Sequence, residues 1–184
     1  MIEPGQMLVA PPAQKDSYWS QTAIFIYERS PHNTIGLIVN KPGDRPVSDL
    51  AKHNGLDYDG QEMLYIGGPV NSSALVLLHT NDWRSQNTFR VNEEFSVTSD
   101  KAMLPRICSG DRPSKWKLFL GMSAWASGQL ECEIIGTHPW NKQSSWLTSS
   151  SDSMVLFDTE PARAWKRALN ASVKEATETL FQTF

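Results

Sequence analysis

The sequence predicts an α+β fold built on a mixed β-sheet. Short runs rich in β-branched and aromatic residues recur along all 184 residues. Hairpin-type turns and helical crossovers alternate irregularly between them, without the regular βαβ rhythm of a doubly wound parallel sheet. Neither an internal repeat nor a linker divides the chain, so residues 1–184 are expected to form one domain, long enough to bury a core without disulfide staples.

The first strand, Met7–Val9, is stopped by Pro11 and Pro12, which have no N–H for a neighbouring strand. Thr22–Tyr27 has the composition of a buried strand, and the turn residues of Ser30–Thr34 join it to Ile35–Val39 as a hairpin. Pro46–Asn54 puts Val47, Leu50 and Ala51 on one helical face and stops at Gly55. Met63–Ile66 runs into Gly67-Gly68-Pro69-Val70, and Leu75–His79, Phe89–Val91 and Phe95–Thr98 are further strands around a polar loop, Asn81–Asn87. Ser99 or Asp100 can cap a helix running towards Gly110, which Pro105 would kink or restart.

Trp116–Leu120 then leads into Gly121–Trp140 (GMSAWASGQLECEIIGTHPW), a stretch with helix punctuation at both ends. Ser127 can cap the segment and Gly136 can close it in the left-handed conformation. Leu130 and Ile134 stand one turn apart, and Glu131 meets the positive end of the helix dipole. Serine-rich Asn141–Ser153 reads as a surface loop and Met154–Phe157 as a last strand. Thr159 and Pro161 open a final helix in which Trp165, Leu169, Val173, Ala176 and Leu180 keep helical spacing around a soft break at Asn170–Ser172.

Seventeen basic against 20 acidic side chains give a net charge of −3. A protein gripping duplex phosphates usually shows a basic excess or stripe, so direct DNA binding is not expected. Cys108 and Cys132, the only cysteines, lack C-x-x-C spacing and read as free thiols of a reducing compartment. The first 25 residues carry no basic start followed by an apolar run, and no run approaches the roughly 18 apolar residues of a membrane span. A soluble cytoplasmic protein without membrane contact is the expectation.

GQLECE (Gly128–Glu133) followed by Trp140, with GLIVNKP (Gly36–Pro42), GGPV (Gly67–Val70) and the leucine–histidine strand ending at His79, resembles the YqgE/AlgH (UPF0301) family of small bacterial proteins over nearly the whole chain. The resemblance implies a large bifurcated mixed sheet, wrapped towards a pseudo-barrel with helices packed outside. It also implies a transcriptional-regulator label without an established biochemical activity. Family members usually have a basic residue and serine before the second strand, where this chain has Trp19-Ser20-Gln21.

The candidate binding residues are Gly67, Gly68, Pro69, His79, Trp125, Gln129, Glu131 and Trp140. Adjacent glycines let another backbone or a ligand come close, but GGP is much shorter than a phosphate-binding loop, and a tight turn explains it equally. Gly121-Met122-Ser123-Ala124-Trp125 imitates a nucleophile elbow, yet Trp125 stands where the crowded turn needs a small residue. His32, His53, His79 and His138 are too scattered for a zinc motif, and His79 reads as a hydrogen-bonded structural histidine. Glu131 and Glu133 point apart on a helix, so they form no carboxylate pair, and Glu131 is expected to hold backbone donors of the turn.

No catalytic set, metal site or cofactor motif assembles from these residues. Three functions remain in view: a regulatory or partner-binding protein, a small-molecule binder or enzyme using a pocket between the GGPV turn and the GQLECE helix start, and a nucleic-acid-binding regulator.

Overall fold

The structure, a computed structural model, describes residues 2–15, 17–139 and 145–182. In chain order its elements are β1 (Gln6–Val9), β2 (Ala23–Arg29), β3 (Asn33–Ile38), β4 (Pro42–Pro46), α1 (Val47–His53), β5 (Met63–Ile66), β6 (Val70–Thr80), β7 (Phe89–Arg90), β8 (Phe95–Thr98), α2 (Met103–Cys108), β9 (Trp116–Ala126), α3 (Gln129–Ile135), β10 (Leu147–Ser150), a π-helical turn (Met154–Asp158) and α4 (Pro161–Gln182).

The strands form one sheet in the order β10-β1-β2-β3-β9-β6-β8-β7, with β5 pairing both β4 and β9. The long strand β9 is where the sheet forks. One of its edges carries β6. The other is shared: β5 runs parallel to Phe119–Leu120, while β3 runs antiparallel to Ser123–Ala126. The sheet is therefore mixed and bifurcated, through a single parallel pairing among the described strands.

Alternation along the strands divides the apolar residues between two faces. Ala23, Phe25 and Tyr27 of β2 face the core that also holds Val76, Leu78, Phe95, Val97 and Phe119. Phe25 meets Phe95 edge to face with centroids 6.0 Å apart, although β3, β9 and β6 separate their strands. Only a strongly curled sheet brings them together, and the result is a half-barrel closed around this core by Val155 and Leu156 of the π turn and by Ala164, Trp165 and Ala168 of α4. On the outer face, α3 packs on Ile24, Ile26 and Ile38. The helices α1 and α2 cover Leu64, Leu77 and Leu118.

Several expectations are corrected. Met154–Phe157 is a π-helical turn, because Val155 and Leu156 are neighbours and both buried, which a strand would send to opposite faces. The serine-rich loop contains an edge strand: Leu147–Ser150 pairs with Val9–Gln6, a polar strand held by backbone bonds that hydrophobicity does not reveal. Trp116–Leu120 extends to Ala126. Ser127 does not cap α3; Gly128 at φ 73° is the N-cap, whereas Gly136 at φ 69° does close the helix. Glu160 rather than Thr159 opens α4, its C=O accepting from Ala164 N–H at 3.0 Å, and the helix runs unbroken through Asn170–Ser172.

Candidate functional site

The GGPV turn fills the notch of the fork. Gly67 N–H donates to Leu120 O and its own C=O accepts from Ile38 N–H, both at 2.9 Å, so this residue stitches β3 to β9. Ser123 Oγ donates to the same carbonyl at 3.0 Å and is fully buried. A Cβ on Gly67 would lie 2.3 Å from Gly121 O, and one on Gly68 2.3 Å from Met122 C and O. The faces of both glycines are thus filled by backbone. Gly121, at φ +70°, is the irregular residue that lets β9 turn: Phe119 and Met122 both face the enclosed core, three residues apart, which strict alternation forbids. Ser123 sits mid-strand under this turn, not on an exposed elbow. Pro69 is exposed at the rim.

His79 is fully buried in β6. Its Nδ1 lies 2.7 Å from Thr80 O and must donate, since a carbonyl only accepts; Nε2 therefore accepts from Thr98 Oγ1 at 2.9 Å. Thr98 then accepts from Thr88 Oγ1 at 2.7 Å, and Thr88 from Ser85 N–H. Every polar atom of the chain is used. Burial pushes the imidazole below its ordinary pKa, the bond to Thr80 opposing this, and Trp83 closes over the ring edge to face.

α3 holds the chemistry that sequence reasoning assigned to the wrong glutamate. Glu131 forms an ion pair with Arg29 at 2.9 Å, and Arg29 also binds Glu3 and the Ile2 carbonyl, so Glu131 ties the chain start to α3 instead of holding backbone donors. Glu133 is the buried acid. Its Oε2 accepts from Trp125 Nε1 at 3.1 Å and Trp146 Nε1 at 2.9 Å; its Oε1 accepts from Gln129 Nε2 at 2.9 Å. Gln129 Oε1 in turn accepts from Ala126 N–H, joining β9 to the helix. Trp19 packs against both indoles. Trp140 lies outside the described residues.

Sequence reasoning also missed Lys117. It lies on the inward side of β9, aligned with Phe119, a placement that alternation could have shown. Its Nζ donates to Val39 O at 3.0 Å and stands 4.3 Å from the Tyr65 ring centre. Burial pushes its pKa down to about 8, with Asp158 opposing the shift.

Among the described residues, Gly67, Gly68, Ser123, His79, Glu133 and Lys117 do not line a cavity, although Trp83 and Thr88 at the outer end of the His79 chain reach a polar hollow of about 300 Å³ with Asn81, Arg84, Arg90 and Ser96. Two larger cavities lie at α1. One, about 510 Å³, is lined by Arg45, Asp49, Leu50, Lys52, His53, Leu64 and Leu120. The other, about 490 Å³, is lined by Leu56, Leu75 and Leu104 beneath Asn54 and Lys101. Leu75 and Leu120 are directly paired across β6 and β9, so the two hollows adjoin. Among the described residues, Arg45, Asp49, Lys52, His53 and Lys101 form no ion pair or side-chain hydrogen bond. Buried and half-buried leucines from distant segments build this floor, which leaves no local signal in the sequence.

The sequence profile of the AlgH-like family matches residues 7–176. This chain belongs to that family. A UPF0301 protein of Thiobacillus denitrificans is 34% identical over 157 residues, covering 84% of this chain and 81% of that protein. One from Haemophilus influenzae is 34% identical over 160 residues, covering 84% and 82%. The solution structure of the AlgH protein from Pseudomonas aeruginosa superposes with a TM-score of 0.74 at 26% identity, covering 92% of this chain and 88% of that one. A Corynebacterium diphtheriae crystal structure shares the fold, with a TM-score of 0.71 at 23% identity and coverage of 91% and 85%. Several residues of the AlgH-like signature make structural contacts: Asn40 staples Ala23 and Gln21, Gly67 and Gly68 plug the fork, and GQLECE builds the Glu133 cage. Among the described residues, no helix is long and apolar enough to cross a membrane, and no cluster of His, Cys, Asp or Glu could hold a metal ion.

Proposed function

We propose that this AlgH-like protein acts by binding a partner, without catalysis, and that the groove beside α1 is the docking surface. One observation carries the reading. The adjoining hollows offer a leucine floor with an unpaired charged rim, whereas the buried groups with chemical potential already have partners in the fold. His79 donates to Thr80 O and accepts from Thr98 Oγ1, Ser123 donates to Gly67 O, and Glu133 is occupied by two indoles and an amide. A hollow apolar surface with a few convergent polar groups is the usual form of a recognition site.

The test immobilises the wild-type protein and an R45E/K52E variant and compares what each retains from native lysate of the source bacterium. Both substituted residues are exposed, so their replacement leaves the melt unchanged while reversing the rim. Partners retained by the wild type and lost by the variant support the groove. Equal retention by both would move the binding surface elsewhere.

A further inference from the structure

Taking the α1 groove as the docking surface, we infer that it selects an acidic amphipathic segment of a partner protein, two apolar side chains of which enter the adjoining hollows. Charge is the first argument. Arg45, Lys52, His53 and Lys101 stand around the two hollows without partners, opposed by the free carboxylate of Asp49. Asp100 is a second carboxylate at the rim: its Oδ1 accepts from Ser85 Oγ and Ala102 N–H at 2.9 Å and its Oδ2 from Asn87 N–H at 3.2 Å, neutral donors that hold it in place and leave its charge intact. Arg45, Lys52 and Lys101 against Asp49 and Asp100 leave the rim one positive charge in surplus, with His53 neutral, in a chain whose net charge is −3.

The shape of the floor gives the second argument. Leu75 and Leu120 face each other across the sheet, and paired residues of antiparallel strands lie only about 5 Å apart. The hollows on their two sides are therefore spaced for neighbouring anchors of one short segment, such as residues three or four apart on a helix. Backbone pairing to the nearest edge is disfavoured, because β4 begins and ends in proline, at Pro42 and Pro46. Side-chain anchoring remains, with carboxylates of the segment reaching the rim. A nucleic-acid strand suits the site poorly: its phosphates would find the cations, but the leucine floor provides no aromatic platform for bases.

The probe is a fluorescein-labelled peptide of roughly twelve residues, about three helical turns, with leucines at helical spacing and glutamate elsewhere. Its control carries lysine for every glutamate. Anisotropy titration of the full chain is expected to show the glutamate peptide binding at least about tenfold more tightly, the preference weakening with salt. R45E/K52E should abolish or reverse that order. Leu120→Ala, which enlarges the floor, should weaken the glutamate peptide without changing the sign of the preference. Equal affinity for both peptides, an order unmoved by R45E/K52E, or tighter binding of oligo-dT or dodecanoate than of the glutamate peptide would overturn the inference. Failure of both peptides, with lysate partners still lost from R45E/K52E, would overturn the acidic segment and leave the groove standing. Failure of both experiments would remove the groove itself.

Discussion

The indole of Trp125 donates to Glu133 Oε2 at 3.1 Å, and Trp146 donates to the same oxygen at 2.9 Å. One carboxylate thereby ties β9, α3 and the approach to β10, on a face where Leu130 is fully buried. Glu133→Ala would strand two buried indole N–H groups and remove the acceptor for Gln129. With roughly 1–3 kcal/mol for each unsatisfied buried donor, denaturant melts should show a loss of about 2–5 kcal/mol. Glu133→Gln should cost less, because its oxygen can still serve the indoles. Its amide, however, meets the donor Gln129, whose oxygen is held by Ala126 N–H. Glu131→Ala breaks only a partly exposed ion pair with Arg29 and should cost about 1 kcal/mol or less. A Glu131 loss equal to that of Glu133 would refute the assignment.

The fork makes a second demand. Gly121→Ala would set a Cβ 2.6 Å from Gly68 O on a residue held at φ +70°. Gly67→Ala would press on Gly121 O at 2.3 Å. Neither contact is the end of a flexible side chain, so each variant should lose more than about 4 kcal/mol or fail to fold. Ser123→Ala deletes only one donor to Gly67 O and should cost about 1 kcal/mol. Melting curves for the three rank the contributions directly. Wild-type stability in Gly67→Ala would mean that the turn is open.

Much of the sheet was legible because it depends on local pattern. Thr22–Tyr27 is a run of β-branched and aromatic residues flanked by turns, and Gly136 and Gly55 mark helix ends through a backbone conformation that few other residues adopt without strain. What failed to show depends on distant partners. Leu147–Ser150 is a strand because β1 offers it a ladder, and Met154–Phe157 is not one because two consecutive side chains must enter the same core. The reversal between Glu131 and Glu133 has the same origin. Their spacing shows that they diverge, but which of them meets Trp146 depends on a segment that returns after the helix. The α1 groove, assembled from leucines of α1, β5, β6, α2 and β9, is the extreme case.

His79 offers a test of the buried polar chain. Its pKa lies below the ordinary 6.5, through burial, and the tautomer that donates from Nδ1 to Thr80 is the neutral one. The unfolded chain therefore takes up a proton before the folded one does. The contribution of His79 is fully present above pH 6.5 and is lost as the pH falls through the lowered value. Histidine ring resonances followed by NMR should show His79 unshifted as the pH is brought through 6.5, with its Nδ1 proton protected from exchange. Titration at or above 6.5 would show that the imidazole reaches solvent and would restore it as a candidate base.

Lys117 titrates on the other side of neutrality, and its sign follows from the same linkage. Its pKa is pushed from 10.5 down to about 8, chiefly by burial, while the unfolded chain keeps the ordinary value. Below pH 8 both states carry the proton, and the fold bears a charge in a poorly solvated place. Between pH 8 and 10.5 the unfolded state holds a proton that the native state has released, so stability from this group rises with pH across that window. At about 1.4 kcal/mol for each unit of pKa, the rise is worth roughly 3 kcal/mol at most, less whatever water reaches Nζ. The variant to compare is Lys117→Met, which keeps the unbranched shape one atom shorter and removes the titration. Its loss of the donor to Val39 O is the same at every pH and cancels in the comparison. Urea melts at pH 7 and 9.5 should show wild-type stability gaining on the variant by about 1–2 kcal/mol between the two conditions. The upper limit stays below pH 10, where Tyr27, pushed up to about 12 by burial and Glu28, begins to contribute with the opposite sign. Parallel pH profiles for the two proteins would mean that the Lys117 amine is solvated, and that the enclosed face of β9 admits water between Val39 and Tyr65.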